Sequence, residues 1–301
     1  MKGSWSDKSL AYRLLGIFIL CVAGLLLSGL LGTVLAMLIF DIDLLSATGF
    51  NLVDPTLKEV KAMKLIQLIS GIGAFIVPAV LYGRLVGNPR SELALDKGLS
   101  FGSGFLLFII MFTAIPWINA VMFAMSELQL PYWLEWLRQS EESNMLIQEH
   151  FLRMDNFNGL LYNLILMAFI PAIGEELIFR GILYPIFRDM SGSIHHGVWI
   201  SALLFGVLHQ QFTAMPALVL IGVMLGYMRA WSGSLWWPVF AHWTNNALIL
   251  FFTYIFTRMG VDDEIMTTIG TEPRHLFLLL FSVLFTAAGM YIMYRQTKNP
   301  A

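Results

Sequence analysis

Charge is the scarcest commodity in this sequence. Of its 301 residues only 13% are Asp, Glu, Lys or Arg, whereas a soluble globular chain carries about a quarter. That deficit argues against an ordinary soluble domain. Cysteine is nearly absent too: Cys21 stands alone, so no disulfide can form within the chain. With a net charge of −2 and no basic patch, nucleic-acid binding has no support. Internal repeats, low-complexity tracts and linkers long enough to separate domains are lacking as well. One transmembrane domain is the simplest organisation.

Apolar residues fill the space. They make up 57% of the chain, with a mean hydropathy of +0.72. Uncharged runs recur at 14–40, 65–83, 98–126, 156–174, 197–228, 230–257 and 276–294. Crossing a bilayer takes about 20 apolar residues in a helix, so these runs predict an all-α, polytopic transmembrane bundle of about eight helices. The expected spans are 14–40, 65–83, 98–126, 157–174, 197–209, 214–228, 235–257 and 276–294, with a break at Gln210-Gln211-Phe212-Thr213. Leu177, Ile178, Phe179, Ile182 and Leu183 predict that the fourth helix continues to about Arg188. Although Lys2, Lys8 and Arg13 precede the first run, its 27 residues (14–40) exceed the roughly 7–15 of a signal-peptide core. It is read as a retained helix.

Loop charges predict orientation. With the N-terminus inside, ten basic residues face the cytoplasm: Lys2, Lys8, Arg13, Arg84, Arg90, Lys97, Arg188, Arg229, Arg295 and Lys298. Seven face out: Lys58, Lys61, Lys64, Arg138, Arg153, Arg258 and Arg274. The positive-inside rule therefore favours cytoplasmic termini in a plasma or inner membrane. The segment 127–155 interleaves Trp133, Trp136, Glu135, Glu141, Glu142 and Glu149 with Leu130, Leu134 and Leu137. It reads as an amphipathic helix at the interface, with a substrate-gating lid as the alternative.

Against this background a few polar residues stand out, because an ionisable group near the bilayer centre costs about 2.5–3.5 kcal/mol on insertion scales. The first group is Gly174-Glu175-Glu176-Leu177-Ile178-Phe179-Arg180. Glu176 and Arg180 are four apart, on one helical face and in the favourable order, and are expected to form a supporting ion pair. Glu175 points elsewhere, its carboxylate in an apolar surround, a setting that suits a general base. The alternative is that both glutamates merely anchor a helix at the membrane edge. The second group is Phe205-Gly206-Val207-Leu208-His209, where a lone histidine is more often a satisfied core residue than a catalytic one. In the third, His242-Trp243-Thr244-Asn245-Asn246, His242 and Asn246 share a face. They can donate to one point, as an oxyanion hole requires, or simply join two helices. It is the combination of a base with several donors on successive apolar helices that favours a functional site. Glutamate and histidine at such depth also build proton relays, so a proton-coupled carrier is a rival.

In order and spacing, Glu175-Glu176-x-x-x-Arg180, Phe205-x-x-x-His209 and His242-x-x-x-Asn246 resemble the motifs of the CAAX prenyl protease and bacteriocin-processing (CPBP, Abi) family of intramembrane glutamate proteases. The resemblance covers about 155–250 and leaves the helices in 14–126 outside it. It implies an endopeptidase in which Glu175 is the base and His209 its partner on a water, while His242 and Asn246 stabilise the oxyanion and Glu176 and Arg180 support the site. Cofactors are not implied, since the family is read as metal-independent. Glu175, His209 and His242 could still supply three ligands to a catalytic zinc. The implied partners are membrane lipid and a peptide or membrane-anchored protein substrate, and nothing in the sequence specifies an oligomeric state. A non-catalytic scaffold or a bacteriocin self-immunity protein of the same fold is the competing function. The His-Glu-x-x-His, Gly-x-Ser-Gly and paired-aspartate patterns of other intramembrane proteases are absent.

Overall fold

The structure, a computed structural model, describes residues 3–44, 50–51, 53–128, 131–261 and 268–298, with backbone only at 134 and 143. Lys2 and Leu130, counted above, lie outside these residues. The described residues form helices and turns without a strand. The main helices are α1 (Leu10–Phe40), α2 (Leu57–Val86), α3 (Phe101–Ser126), α4 (Glu135–Leu152), α5 (Phe157–Ser191), α6 (Ile194–Leu208), α7 (Met215–Ser232), α8 (Trp236–Met259) and α9 (Pro273–Lys298). Seven are long and apolar enough to cross a membrane. The eighth, α6, has 15 residues, about 22 Å of helix at a 1.5 Å rise, short of the roughly 30 Å hydrocarbon core. Its end and the start of α7 frame the break at Gln210–Thr213. The protein is an integral membrane protein.

Polar side chains mark where the helices begin. Ser9, Thr56, Ser100 and Asn156 each accept from a backbone N–H in the first turn of α1, α2, α3 and α5, satisfying donors that helix starts leave unpaired.

Proline shapes the interiors. Pro78, Pro171 and Pro185 fall inside long helices, where each lacks an N–H and its ring crowds the carbonyl four residues back. In all three cases the helix widens just before it into a π turn, at Ile72–Ile76, Leu164–Phe169 and Leu177–Leu183. The residue ahead of each proline closes a bond five residues back: Val77 to Ile72, Ile170 to Ile165 and Tyr184 to Phe179. Pro116 is handled differently. Ser282 of α9 inserts beside it, accepting from the Trp117 N–H at 3.2 Å and donating to the Thr113 carbonyl at 2.6 Å. A neighbouring helix thus repairs the bond that the bilayer, lacking water, cannot.

Small residues bring the helices together. On α1, Gly24, Ser28 and Gly32 recur every fourth residue, the spacing that lets apolar helices approach closely in lipid. A Cβ on Gly24 would lie 2.0 Å from the Gly73 carbonyl oxygen of α2. Between α6 and α7, Gly206, Gly222 and Gly226 face Val219, Ala202 and Val198. Most of the outward face of α1 is apolar and exposed, as lipid contact requires. The core around Phe179, Phe205, Tyr82 and Leu235 lies where α5, α6, α2 and the start of α8 meet, and the site is built against it.

Candidate active site

Glu175 and Glu176 stand where α5 passes from α-helix into its second π turn. Such turns often mark functional positions. Pointing apart, the two carboxylates find different partners. Glu176, fully buried, accepts from the Arg180 guanidinium through Oε1 at 2.7 Å, as the i, i+4 spacing predicts. The same oxygen lies 2.9 Å from Nδ1 of His242 on α8, a contact the sequence did not reveal. Arg180, also fully buried, donates at 2.9 Å to the carbonyl of Gly222 on α7. A Cβ on Gly222 would stand 3.3 Å from that guanidinium, so the position is kept small for it. The Arg180 guanidinium also rests on the Phe205 ring, 4.7 Å from its centroid, close enough for a cation–π contact. A buried charge needs this degree of pairing.

Glu175 faces both imidazoles. Its Oε2 lies 3.7 Å from His209 Nε2 and 3.8 Å from His242 Nε2. That oxygen is buried and has no hydrogen-bond partner among the described residues. Both separations are too long for direct hydrogen bonds and short enough for a single water to serve two groups. His209, which caps the C-terminal end of α6, is pinned by its other nitrogen: Nδ1 lies 2.7 Å from the Phe205 carbonyl oxygen. A carbonyl only accepts, so Nδ1 carries the proton. In the neutral ring Nε2 then presents a lone pair towards Glu175. The Phe205 ring packs against both imidazoles, with centroids 4.5 Å from His209 and 5.7 Å from His242. Phe205 thus organises the site through its ring and its backbone. Its signal in the sequence was its place four residues before His209.

Glu175, His209 and His242 therefore come together, and Glu176 joins Arg180 to His242. Asn246 takes another position. Its Nδ2 donates at 3.4 Å to the Met167 carbonyl, the carbonyl four residues before Pro171. Its Oδ1 accepts from Asn245 at 3.2 Å. Among the described residues, no cluster of three or more His, Cys, Asp or Glu has the geometry to hold a metal.

Two further tertiary contacts are not visible in the sequence. Glu141 of α4 is buried and accepts from the backbone N–H of Thr213 at 3.2 Å and from its hydroxyl, tying α4 to the turn that follows His209. Lys64, counted above as a loop charge, is buried in α2. It donates to the Phe151 carbonyl at 3.0 Å and to Asn163 Oδ1 at 2.9 Å, so α2, α4 and α5 meet on one ammonium.

Comparison with known proteins bears on these same helices. Residues 157–248 match the family model described as type II CAAX prenyl endopeptidase Rce1-like. An "Uncharacterized protein YpbD" of Bacillus subtilis (strain 168) is 30% identical over 90 residues, 29% of this chain and 43% of that protein. A "Putative membrane peptidase YdiL" of the same organism is 25% identical over 87 residues, 29% of this chain and 35% of that protein. The chain thus spans less than half the length of either relative. No solved structure matches it significantly. The segment that carries Glu175, Glu176, Arg180, His209, His242 and Asn246 is thus similar to the Rce1-like family of type II CAAX prenyl endopeptidases.

Proposed function

We propose that the protein is an intramembrane endopeptidase that hydrolyses a peptide bond near the membrane with a water activated by Glu175 and His209. The observation that carries this reading is the buried Oε2 of Glu175, without a hydrogen-bond partner among the described residues and faced at 3.7 and 3.8 Å by two imidazoles. A water about 2.8 Å from each can donate one hydrogen to Glu175 and the other to His209 Nε2. Glu175 removes a proton as the water oxygen bonds to the substrate carbonyl carbon. The carbonyl oxygen becomes an oxyanion. As the C–N bond breaks, the proton held by Glu175 passes to the leaving amine, and no acyl-enzyme forms.

His242 and Asn246 stabilise the oxyanion in this reading. Nδ1 of His242 already donates to Glu176, so donation from Nε2 as well requires the doubly protonated ring. Glu176 faces the charge that this creates, and Arg180 and Gly222 hold Glu176 in place. Asn246 reaches the oxyanion by exchanging its long bond to Met167 for a charge-assisted one, the stronger kind. The mechanism requires no metal. The physiological substrate belongs to the class of membrane-anchored peptides or proteins.

The test uses the full chain reconstituted in lipid with a library of peptides tethered by one transmembrane helix. Glu175→Ala and His209→Ala should each lower cleavage by about 10²–10⁴-fold, the range for loss of a general acid–base group, while the protein stays folded by size exclusion. His242→Ala and Asn246→Ala should cost about 10²–10³-fold, as for an oxyanion donor. A Glu175→Ala/His209→Ala double variant that cleaves at full rate would end the proposal.

A further inference from the structure

Beside Glu175 lies a cavity of about 220 Å³ bounded by α1, α2 and α5. Leu25 of α1, Phe75 of α2 and Ile170 of α5 give it apolar walls, and Glu175 closes one side. Two of its bounding helices, α1 and α2, lie wholly outside the family-matched segment 157–248. Gln67, Ser70, Gly71 and Ala74 line it from one face of α2, at the i, i+3, i+4, i+7 spacing, and three of these four are small. The π turns Ile72–Ile76 and Leu164–Phe169 both border it.

The polar groups on this cavity say what it takes. Ser28, Thr33, Thr113 and Ser232 each return their hydroxyl to a carbonyl four residues back. Ser70 and Gln67 have no hydrogen-bond partner among the described residues, although both sit mid-helix in a span. Gln67 is exposed and Ser70 half-buried on a membrane-spanning helix, and two polar side chains left without partners against lipid are costly. A lipid acyl chain would leave them so. A peptide main chain, with an N–H and a C=O at each residue, can satisfy both the amide and the hydroxyl. Size narrows the choice further. Cavities of about 150 Å³ accept benzene and sites for drug-sized ligands run from about 300 Å³, so 220 Å³ suits one bulky side chain.

We infer that this cavity is a specificity subsite, resting on the peptidase reading of Glu175. It holds one bulky apolar side chain of an extended substrate segment next to the cleaved bond, and Gln67 and Ser70 hydrogen-bond to that segment's main chain. Substrate choice is then set by α1 and α2, whereas the chemistry belongs to the helices that follow.

The experiment gives the full chain in nanodiscs the tethered library with the residues beside the anchor randomised, and sequences the products by mass spectrometry. Leu, Phe or Met should be enriched at one position flanking the cleaved bond. Ser70→Leu, which fills the cavity, should move that preference to Ala or Gly and lower kcat/KM for the Leu substrate by about 10–100-fold, as for a pocket changed by a few methylenes. Gln67→Leu should cost about tenfold across the library without moving the preference. Both variants keeping the wild-type profile and rate would overturn the subsite. Absence of cleavage by the wild type sinks the peptidase reading alone, and a second measurement then decides the subsite. A Glu175→Gln chain is photolysed with a tethered peptide bearing a benzophenone side chain. Adducts on Phe75 or Ile170 that Ser70→Leu abolishes support the cavity, and adducts elsewhere or none overturn it.

Discussion

Helix α1 buries three of its 31 residues, Ile17, Gly32 and Ala36, while α5 buries every residue from Glu176 to Tyr184. Both are long, apolar and able to span the bilayer, yet they are held by different forces. Most of α1 meets lipid, and it touches α2 through a stripe of small residues. Lipid tails are as apolar as its own side chains, so close packing rather than burial from water is what binds it. From Glu176 to Tyr184 α5 is surrounded by protein, and the buried Glu176–Arg180 pair there is held by Gly222, His242 and Phe205. The difference separates scaffold from chemistry: α5 is constrained in the identity of its residues, α1 in their size.

The largest effect expected from any single change falls on α5 and leaves stability nearly untouched. Glu175→Ala should lower cleavage of the tethered library by about 10²–10⁴-fold, which is about 3–5.5 kcal/mol in the barrier. The midpoint of unfolding in mixed detergent should hardly move, because Oε2 makes no direct hydrogen bond among the described residues. A large loss of stability would show that Glu175 is structural. By the same mechanism, chelators such as EDTA or phenanthroline should leave the rate unchanged, and loss restored by zinc would favour the metal alternative.

Arg180 sharpens the contrast from the other side. Arg180→Met leaves Glu176 buried without its cation, and breaking a buried pair this way costs about 3–5 kcal/mol, read in the same unfolding assay. Glu176→Met/Arg180→Met should cost less than Arg180→Met alone, since no charge is then stranded. A double variant as damaged as the single one would mean that the pair acts through His242 and Gly222 rather than through its charge.

The sequence announced most of this fold. Absence of charge over runs of 19 to 32 residues has few meanings, so the spans, the break at Gln210–Thr213 and the extension of α5 past Glu175 were legible. So was the Glu176–Arg180 pair, because neighbours at i, i+4 are a local matter. What stayed hidden is tertiary. The Glu176–His242 contact joins residues 66 apart, Lys64 finds Asn163 across 99, and Glu141 reaches Thr213 across 72. Lys64 reads as a loop charge because nothing local tells a buried lysine from one just outside the bilayer. The bond of Asn246 to the Met167 carbonyl, four residues before Pro171, joins residues 79 apart and is hidden in the same way.

In the scaffold, Gly73→Leu should have a smaller effect. A Cβ there would stand 2.2 Å from the Ser28 Cβ, and overpacking of this kind costs about 1–3 kcal/mol. Because α1 and α2 border the cavity rather than the catalytic groups, the variant should raise KM and leave kcat near its native value. A fall in kcat at constant KM would erase the division between the two regions.

The smallest expected effect belongs to α4, which is neither scaffold nor catalytic helix. Tyr132 and Trp133 just ahead of it and Trp136 in its first turn are all exposed, as beside a helix at the bilayer interface. Its inward anchor is Glu141. That carboxylate accepts from Thr213, four residues past His209, so α4 and the end of α6 are held to one another. Glu141→Ala removes an acceptor and leaves the Thr213 N–H and hydroxyl unpaired, at a cost of about 1 kcal/mol. The loss should appear as faster amide hydrogen exchange in Glu135–Leu152, the segment hung on that bond, with little change in α5. If α4 also gates the site, the variant should raise the rate for bulky library members more than for small ones. A uniform change would leave α4 as an interfacial brace, held at its far end by Lys64 and Asn163 through the Phe151 carbonyl.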